Sequence, residues 1–175
     1  MTGSRATASS SAAVVCAALL LGATACGSSS SGPTSAEAGK RMSQDARGLL
    51  GNLQQQLKAP APYTVSQDSA SAAGASGCGG GKERRSFAGQ VQVPATPSVH
   101  AAMVLDSGSA NGYLVQHGYS PDKHAAPEQS DARRTDVMVN EKAGTHITAV
   151  LTPAPGGSLL DYKVTGTTDC LRSSS

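Results

Sequence analysis

The sequence predicts a small two-layer α+β domain: a four-stranded, mainly antiparallel sheet with helices on one face, in the order α-β-α-β-β-β. Three observations carry that prediction. Met42, Ala46, Leu49, Leu50, Leu53 and Leu57 recur on one face of a 3.6-residue period. Apolar and polar residues alternate around 87–93, 137–139, 147–151 and 160–164, the signature of half-buried strands. Two cysteines, Cys78 and Cys170, bracket the strand-rich part of the chain. A helical stripe and several one-sided strands hide each other's apolar faces when a helix layer packs on a sheet layer.

The first helix is expected over 36–58. Thr34 and Glu37 stand at capping-box spacing at its start, and Pro60 with Pro62 ends it. Gly39, Gly48 and Gly51 each cost it about 1 kcal/mol relative to Ala, so its stability must come from packing. Residues 60–81 are rich in Ser, Ala and Gly and read as a loop leading to Cys78. From 82 to 170 the chain reads as a strand, a helix and three strands. The strand covers 86–93, with Phe87, Val91 and Val93 on one parity and Gln90 and Gln92 on the other. Pro94 and Pro97 lead into 99–117, which has two readings. One is a helix with Val99, Met103, Ala110, Leu114 and His117 on a face and Gly118 at its C-cap; the other is a hairpin of 101–105 and 113–116. Residues 119–132 are polar, carry Pro121 and Pro127, and read as a surface loop. The last three strands present Val137 and Val139, then Ile147, Ala149 and Leu151, then Leu160, Tyr162 and Val164, joined as two consecutive hairpins. One domain over 36–172 and a tail at 173–175 result.

The amino terminus is of another kind. Arg5, an apolar run over 12–21, and Gly22, Ala23, Thr24 and Ala25 before Cys26 form the pattern of a signal peptide over 1–25. The apolar run is about half the roughly 20 residues that a membrane-spanning helix requires. Leu21-Gly22-Ala23-Thr24-Ala25-Cys26-Gly27 resembles a lipobox, departing from it at Ala23 where Leu is preferred. With the Ser/Gly-rich stretch 27–33, the opening is similar to small secreted lipoproteins of high-GC Gram-positive (actinobacterial) bacteria. That resemblance implies lipidation of Cys26, a lipid bilayer as partner, and residence on the extracytoplasmic face of the cell membrane. Two or three acyl chains, at about 0.8 kcal/mol per buried methylene, anchor stably where one is marginal. Residues 26–35 would then be the acylated cysteine and a flexible tether. Cys16 leaves with the signal peptide, so Cys78 and Cys170 remain as a pair in an oxidising compartment and are expected to form a disulfide.

Composition excludes one class of partner. With 14 Lys and Arg against 12 Asp and Glu, and 3% aromatic residues, the chain has neither the basic field nor the stacking platforms of a nucleic-acid binder. Cys78-Gly79-Gly80-Gly81-Lys82 is not a phosphate loop, because Ser76 stands where its first Gly belongs and Glu83 where Ser or Thr would bind magnesium. Ser120 and Lys123 have the Ser-x-x-Lys spacing of penicillin-recognising enzymes without the partner motifs. His100, His117, His124 and His146 are dispersed, with no metal-ligand spacing, so neither metal nor cofactor is expected. The site candidates are His117 and His146, and the basic cluster Lys82, Arg84 and Arg85, which suits anionic headgroups or wall polymer. Asp161 and Asp169 fall on the parity opposite the buried side chains. The leading expectation is a membrane-anchored, non-catalytic binding or accessory module contacting an envelope protein or wall component. The alternatives are a small envelope hydrolase, in which His117 or His146 meets a carboxylate in a pocket, and a small-ligand carrier with the first helix over an apolar groove.

Overall fold

Thr34 and Glu37 cap the first helix reciprocally. The Thr34 hydroxyl accepts the Glu37 amide at 3.3 Å, the Glu37 carboxylate accepts the Thr34 amide at 2.9 Å, and α1 runs Ser35–Gln56. The computed structural model describes residues 32–69, 76–126 and 128–173. The expected signal peptide, Cys26 and the tether up to residue 31 lie outside them. After α1 come β1 (Thr64–Asp68), β2 (Ser76–Gly77), β3 (Lys82–Arg84), β4 (Ser86–Pro94), α2 (Val99–Gln116), β5 (Ser120–Pro121), β6 (Glu128–Gln129), β7 (Arg134–Asn140), β8 (Thr145–Pro153), β9 (Leu159–Thr168) and β10 (Leu171–Arg172).

The α+β class and the antiparallel sheet are as the sequence predicts, but the main sheet has seven strands, not four. Its order is β1-β4-β9-β8-β7-β5, with β6 also paired to β7, and β10-β3-β2 forms a second, three-stranded sheet. The additional strands are the ones that alternation cannot reveal. β1 lies within the stretch read as a loop and pairs with β4 at the sheet edge; only Val65 among its five residues is apolar. β5 and β6, inside the polar stretch 119–132, are two residues each. Over 99–117 the chain is helical and not a hairpin. The Ser98 hydroxyl accepts the Ala101 amide at 3.3 Å, and α2 buries Met103, Ala110 and Leu114 as its predicted face requires.

Both helices pack on one face of the main sheet around a single core. Met42, Ala46, Leu49, Leu50 and Leu53 of α1 meet Phe87, Val91 and Val93 of β4, Ile147, Ala149 and Leu151 of β8, and Leu160, Tyr162 and Val164 of β9. These parities are the predicted ones, and the space beneath α1 is filled by side chains. The parity of β7 is reversed. Asp136, Met138 and Asn140 are buried, while Val137 and Val139, expected inward, face the other way. Asp136 and Asn140 occupy the inner positions because each finds hydrogen-bond partners there, which removes the cost of burying them. The opposite sheet face is open to solvent and carries Gln90, Gln92, Lys163 and Thr165.

Two glycines mark where backbones come close. A Cβ at Gly48 of α1 would collide with the Tyr113 hydroxyl of α2, which explains a helix-weakening residue in mid-helix. A Cβ at Gly89 of β4 would lie 2.7 Å from Leu50 Cδ1 and 2.9 Å from the Thr64 carbonyl oxygen. The carbonyl belongs to a paired strand and cannot swing aside as a side-chain tip can. Gly89→Ala is therefore expected to destabilise by about 1–2 kcal/mol through overpacking, as a lower urea midpoint at unchanged slope. Native stability in this variant would refute so close an approach of β1 and α1 to β4.

The disulfide Cys78–Cys170 is present, with Cα atoms 5.8 Å apart. It joins the turn after β2 to the chain just before β10. Next to it, Glu83 gathers three donors: Ser173 Oγ at 2.8 Å, Arg85 Nη2 at 2.9 Å and Ser35 Oγ at 3.1 Å. The Ser173 and Ser35 hydroxyls hold the Glu83 carboxyl below the usual carboxylate range.

Candidate functional site

The residues singled out from the sequence scatter. Lys82 and Arg84 are exposed on β3, whereas Arg85 turns inward, 6% exposed, where it pairs with Glu83 and donates to the Ser69 carbonyl at 3.1 Å. The alternation of strand side chains thus divides the basic cluster. His117 follows α2; its ring stacks on Tyr113 with centroids 4.2 Å apart and its Nδ1 lies 2.8 Å from the Tyr113 carbonyl. His146 of β8 does reach a carboxylate, its Nε2 lying 2.9 Å from Asp169 Oδ1. This pair lies outside the main clefts, with more than half of the Asp169 side chain exposed.

A different set of residues forms a cleft of about 460 Å³ where α1, the end of α2 and the β7–β8 turn meet. The chain leaves α2 through Gly118 at φ +86°, a conformation suited to glycine. That turn aims the His117 carbonyl at both neighbouring elements: it accepts Arg41 Nη2 at 3.2 Å and Asn140 Nδ2 at 3.4 Å. Asn140 Oδ1 in turn accepts the Ala143 amide at 3.1 Å and so shapes the β7–β8 turn. Arg41 is also held from behind by Asp45, 3.8 Å from its Nε. Asp45 accepts the Tyr119 hydroxyl at 3.1 Å, and Tyr119 accepts the Thr145 hydroxyl at 3.1 Å. Burial pushes the Asp45 carboxyl up, opposed by the Tyr119 hydrogen bond and by the charges of His117 and Arg41. Burial likewise raises the Tyr119 hydroxyl, which stays protonated as the donor this relay needs.

The rim is mixed in charge. Arg41, Lys123 and Lys142 line the cleft with Asp122 and Glu141, a balance of three cations against two carboxylates. Asp122 closes its own loop by accepting the His124 amide at 2.8 Å. The ammonium groups of Lys123 and Lys142 have no hydrogen-bond or ion-pair partner among the described residues. A second cleft, of about 370 Å³, shares Arg41 and Lys142 and continues past Glu37 to Pro33, where the chain enters α1. Nothing in the sequence marked this groove. Its residues come from positions 33–41, 118–124 and 139–143, and no motif spacing links them.

A second polar cluster is closed. Under α2, the Ser107 hydroxyl donates to Asp136, whose Oδ2 lies 3.7 Å from Arg134 Nε. Asp106 Oδ2 and the Tyr162 hydroxyl, both buried nearby, have no hydrogen-bond partner among the described residues. Burial pushes the Asp106 carboxyl up to about 6.

Among the described residues no three His, Cys, Asp or Glu side chains converge as a metal site, and no helix is long and apolar enough to cross a membrane. Comparison with protein-family models, curated proteins and solved structures finds no match for this chain.

Proposed function

We propose that this protein is a lipid-anchored, extracytoplasmic binding module, non-catalytic, whose recognition site is the Arg41 cleft. One observation carries the reading. The Arg41 side chain is 54% exposed, yet Asp45 and the His117 carbonyl fix its guanidinium from behind, while Lys123 and Lys142 stand unengaged at the rim. Such a site is organised before its ligand arrives, so binding an anionic group forfeits little conformational freedom. The anchor rests on the lipobox-like residues 21–27, and a structural disulfide suits the oxidising side of a membrane.

The reading is tested by crosslinking in intact cells from a photoreactive side chain placed at Glu141, on the rim, or at Lys163, on the outer sheet face. A discrete adduct is expected from position 141 and not from 163, and Cys26→Ala is expected to abolish it by releasing the protein from the membrane fraction. Equal adducts from both positions, or membrane retention of Cys26→Ala, would defeat it.

A hydrolase is the second reading, favoured by the 2.9 Å approach of His146 to Asp169. Ester turnover by the native protein that vanishes in His146→Ala would install it instead.

A further inference from the structure

We infer that the groove formed by the two Arg41 clefts seats anionic, hydroxyl-bearing phospholipid headgroups, so that the domain lies against the bilayer that anchors it. The inference rests on the anchored reading above and adds an orientation and a ligand class to it.

Its first support is where the chain enters. Pro33 lines the end of the groove, and only residues 27–32 separate it from Cys26. Seven peptide steps at about 3.6 Å reach at most roughly 25 Å. An anchored domain therefore holds the groove that Pro33 lines within that reach of the headgroup layer. Its second support is charge. Lys123, Lys142 and Arg41 share the groove, and an anionic membrane attracts each such group once it lies within about 8 Å, the screening length at physiological salt.

The third support is the kind of lining. Guanidinium and ammonium groups take a phosphodiester, Arg41 presenting the N–H groups that His117 and Asp45 leave unused. Asp122 and Glu141 in the same cleft would repel a bare phosphate cluster but, like the Ser120 hydroxyl, can accept from hydroxyls. That combination suits a polyol phosphate such as a glycerol headgroup better than a headgroup carrying its own ammonium.

The test uses the full chain, lipidated in its expression host and mixed with vesicles of phosphatidylcholine alone or with three parts in ten phosphatidylglycerol. Flotation reports attachment, and amide hydrogen exchange reports which surface is covered. On the glycerol lipid, amides of 118–124 and 139–143 are expected to exchange about tenfold more slowly than on phosphatidylcholine. Each cation is worth about fivefold in occupancy of the docked orientation, so Lys123→Ala with Lys142→Ala, both exposed and unpaired among the described residues, should weaken docking about 25-fold and erase the protection while the anchored chain still floats. Lys163→Ala, on the outer sheet face, should change neither. Equal exchange on the two vesicle types overturns the inference, as does equal protection by soluble glycerol 3-phosphate on phosphatidylcholine, which would make the ligand a free phosphate. Flotation with the glycerol lipid alone would remove the anchor and leave the docking standing; flotation with neither overturns both.

Discussion

Replacing Cys78 and Cys170 together by Ser is expected to lower folding stability by about 4 kcal/mol and the melting temperature by roughly 15 °C. The bridge closes a loop with a sequence separation of 92, which takes in β3 through β9 and leaves α1 and β1 outside it. Most of its effect lies in the unfolded chain, which loses conformations when its ends are tied. The folded side contributes as well. β2 and β10 are two residues each and β3 is three, too few to pair stably without a covalent brace. Without the bridge, exchange of the β3 and β10 amides should rise before the main sheet opens. Calorimetry on the double variant, beside the native protein with its disulfide reduced, checks both statements. A loss below about 1 kcal/mol would mean that the small sheet and the Glu83 contacts suffice alone.

Asp106→Asn should act in the opposite direction and stabilise the protein at neutral pH by about 2 kcal/mol. The carboxyl is 5% exposed, its Oδ2 lacks a partner among the described residues, and its pKa is raised from 3.8 to about 6. In the unfolded chain it titrates near 3.9. Below that pH both states hold the proton and no penalty exists. As the pH rises from about 4 to about 6 the unfolded chain releases its proton first, so stability falls, and above about 6 the loss is complete and constant. Asn cannot ionise and should flatten that segment of the stability profile. The neighbouring Asp136 keeps its Ser107 and Arg134 contacts in the variant, and the buried Tyr162 hydroxyl remains protonated throughout this range. Urea unfolding at pH 4, 5, 6 and 7 decides the matter: an unchanged slope in Asp106→Asn would assign the pH dependence to another group.

What could be read from the sequence follows how strongly each residue's role is encoded locally. The capping box of α1, the apolar stripe above β4 and β9, and the strands with one clearly apolar parity are local patterns that the fold preserves. The disulfide followed from counting the cysteines that a cleaved, lipidated amino terminus would leave. β1 escaped because an edge strand with a single valine resembles a polar loop, and its partner β4 is known only after folding. β7 misled because Val137, Met138 and Val139 are apolar on both parities, leaving the decision to Asp136 and Asn140, whose partners lie on α2 and in the next turn. The groove was invisible for the same reason. Arg41, Lys123 and Lys142 meet only through tertiary packing, so no spacing in the chain could join them.

The Glu83 carboxylate has a consequence for how this domain can be wired into other chains. Ser35, at the head of α1, and Ser173, beyond β10, donate to its two oxygens at 3.1 and 2.8 Å. Head and tail of the folded unit therefore meet, and a few residues would close it into a ring. Reopened between Gly156 and Gly157, in the exposed turn of the β8–β9 hairpin, the same packing would be specified by a circularly permuted order of elements. Left in its natural order, the unit can be spliced into a loop of a host protein as a cassette, entering and leaving through one doorway.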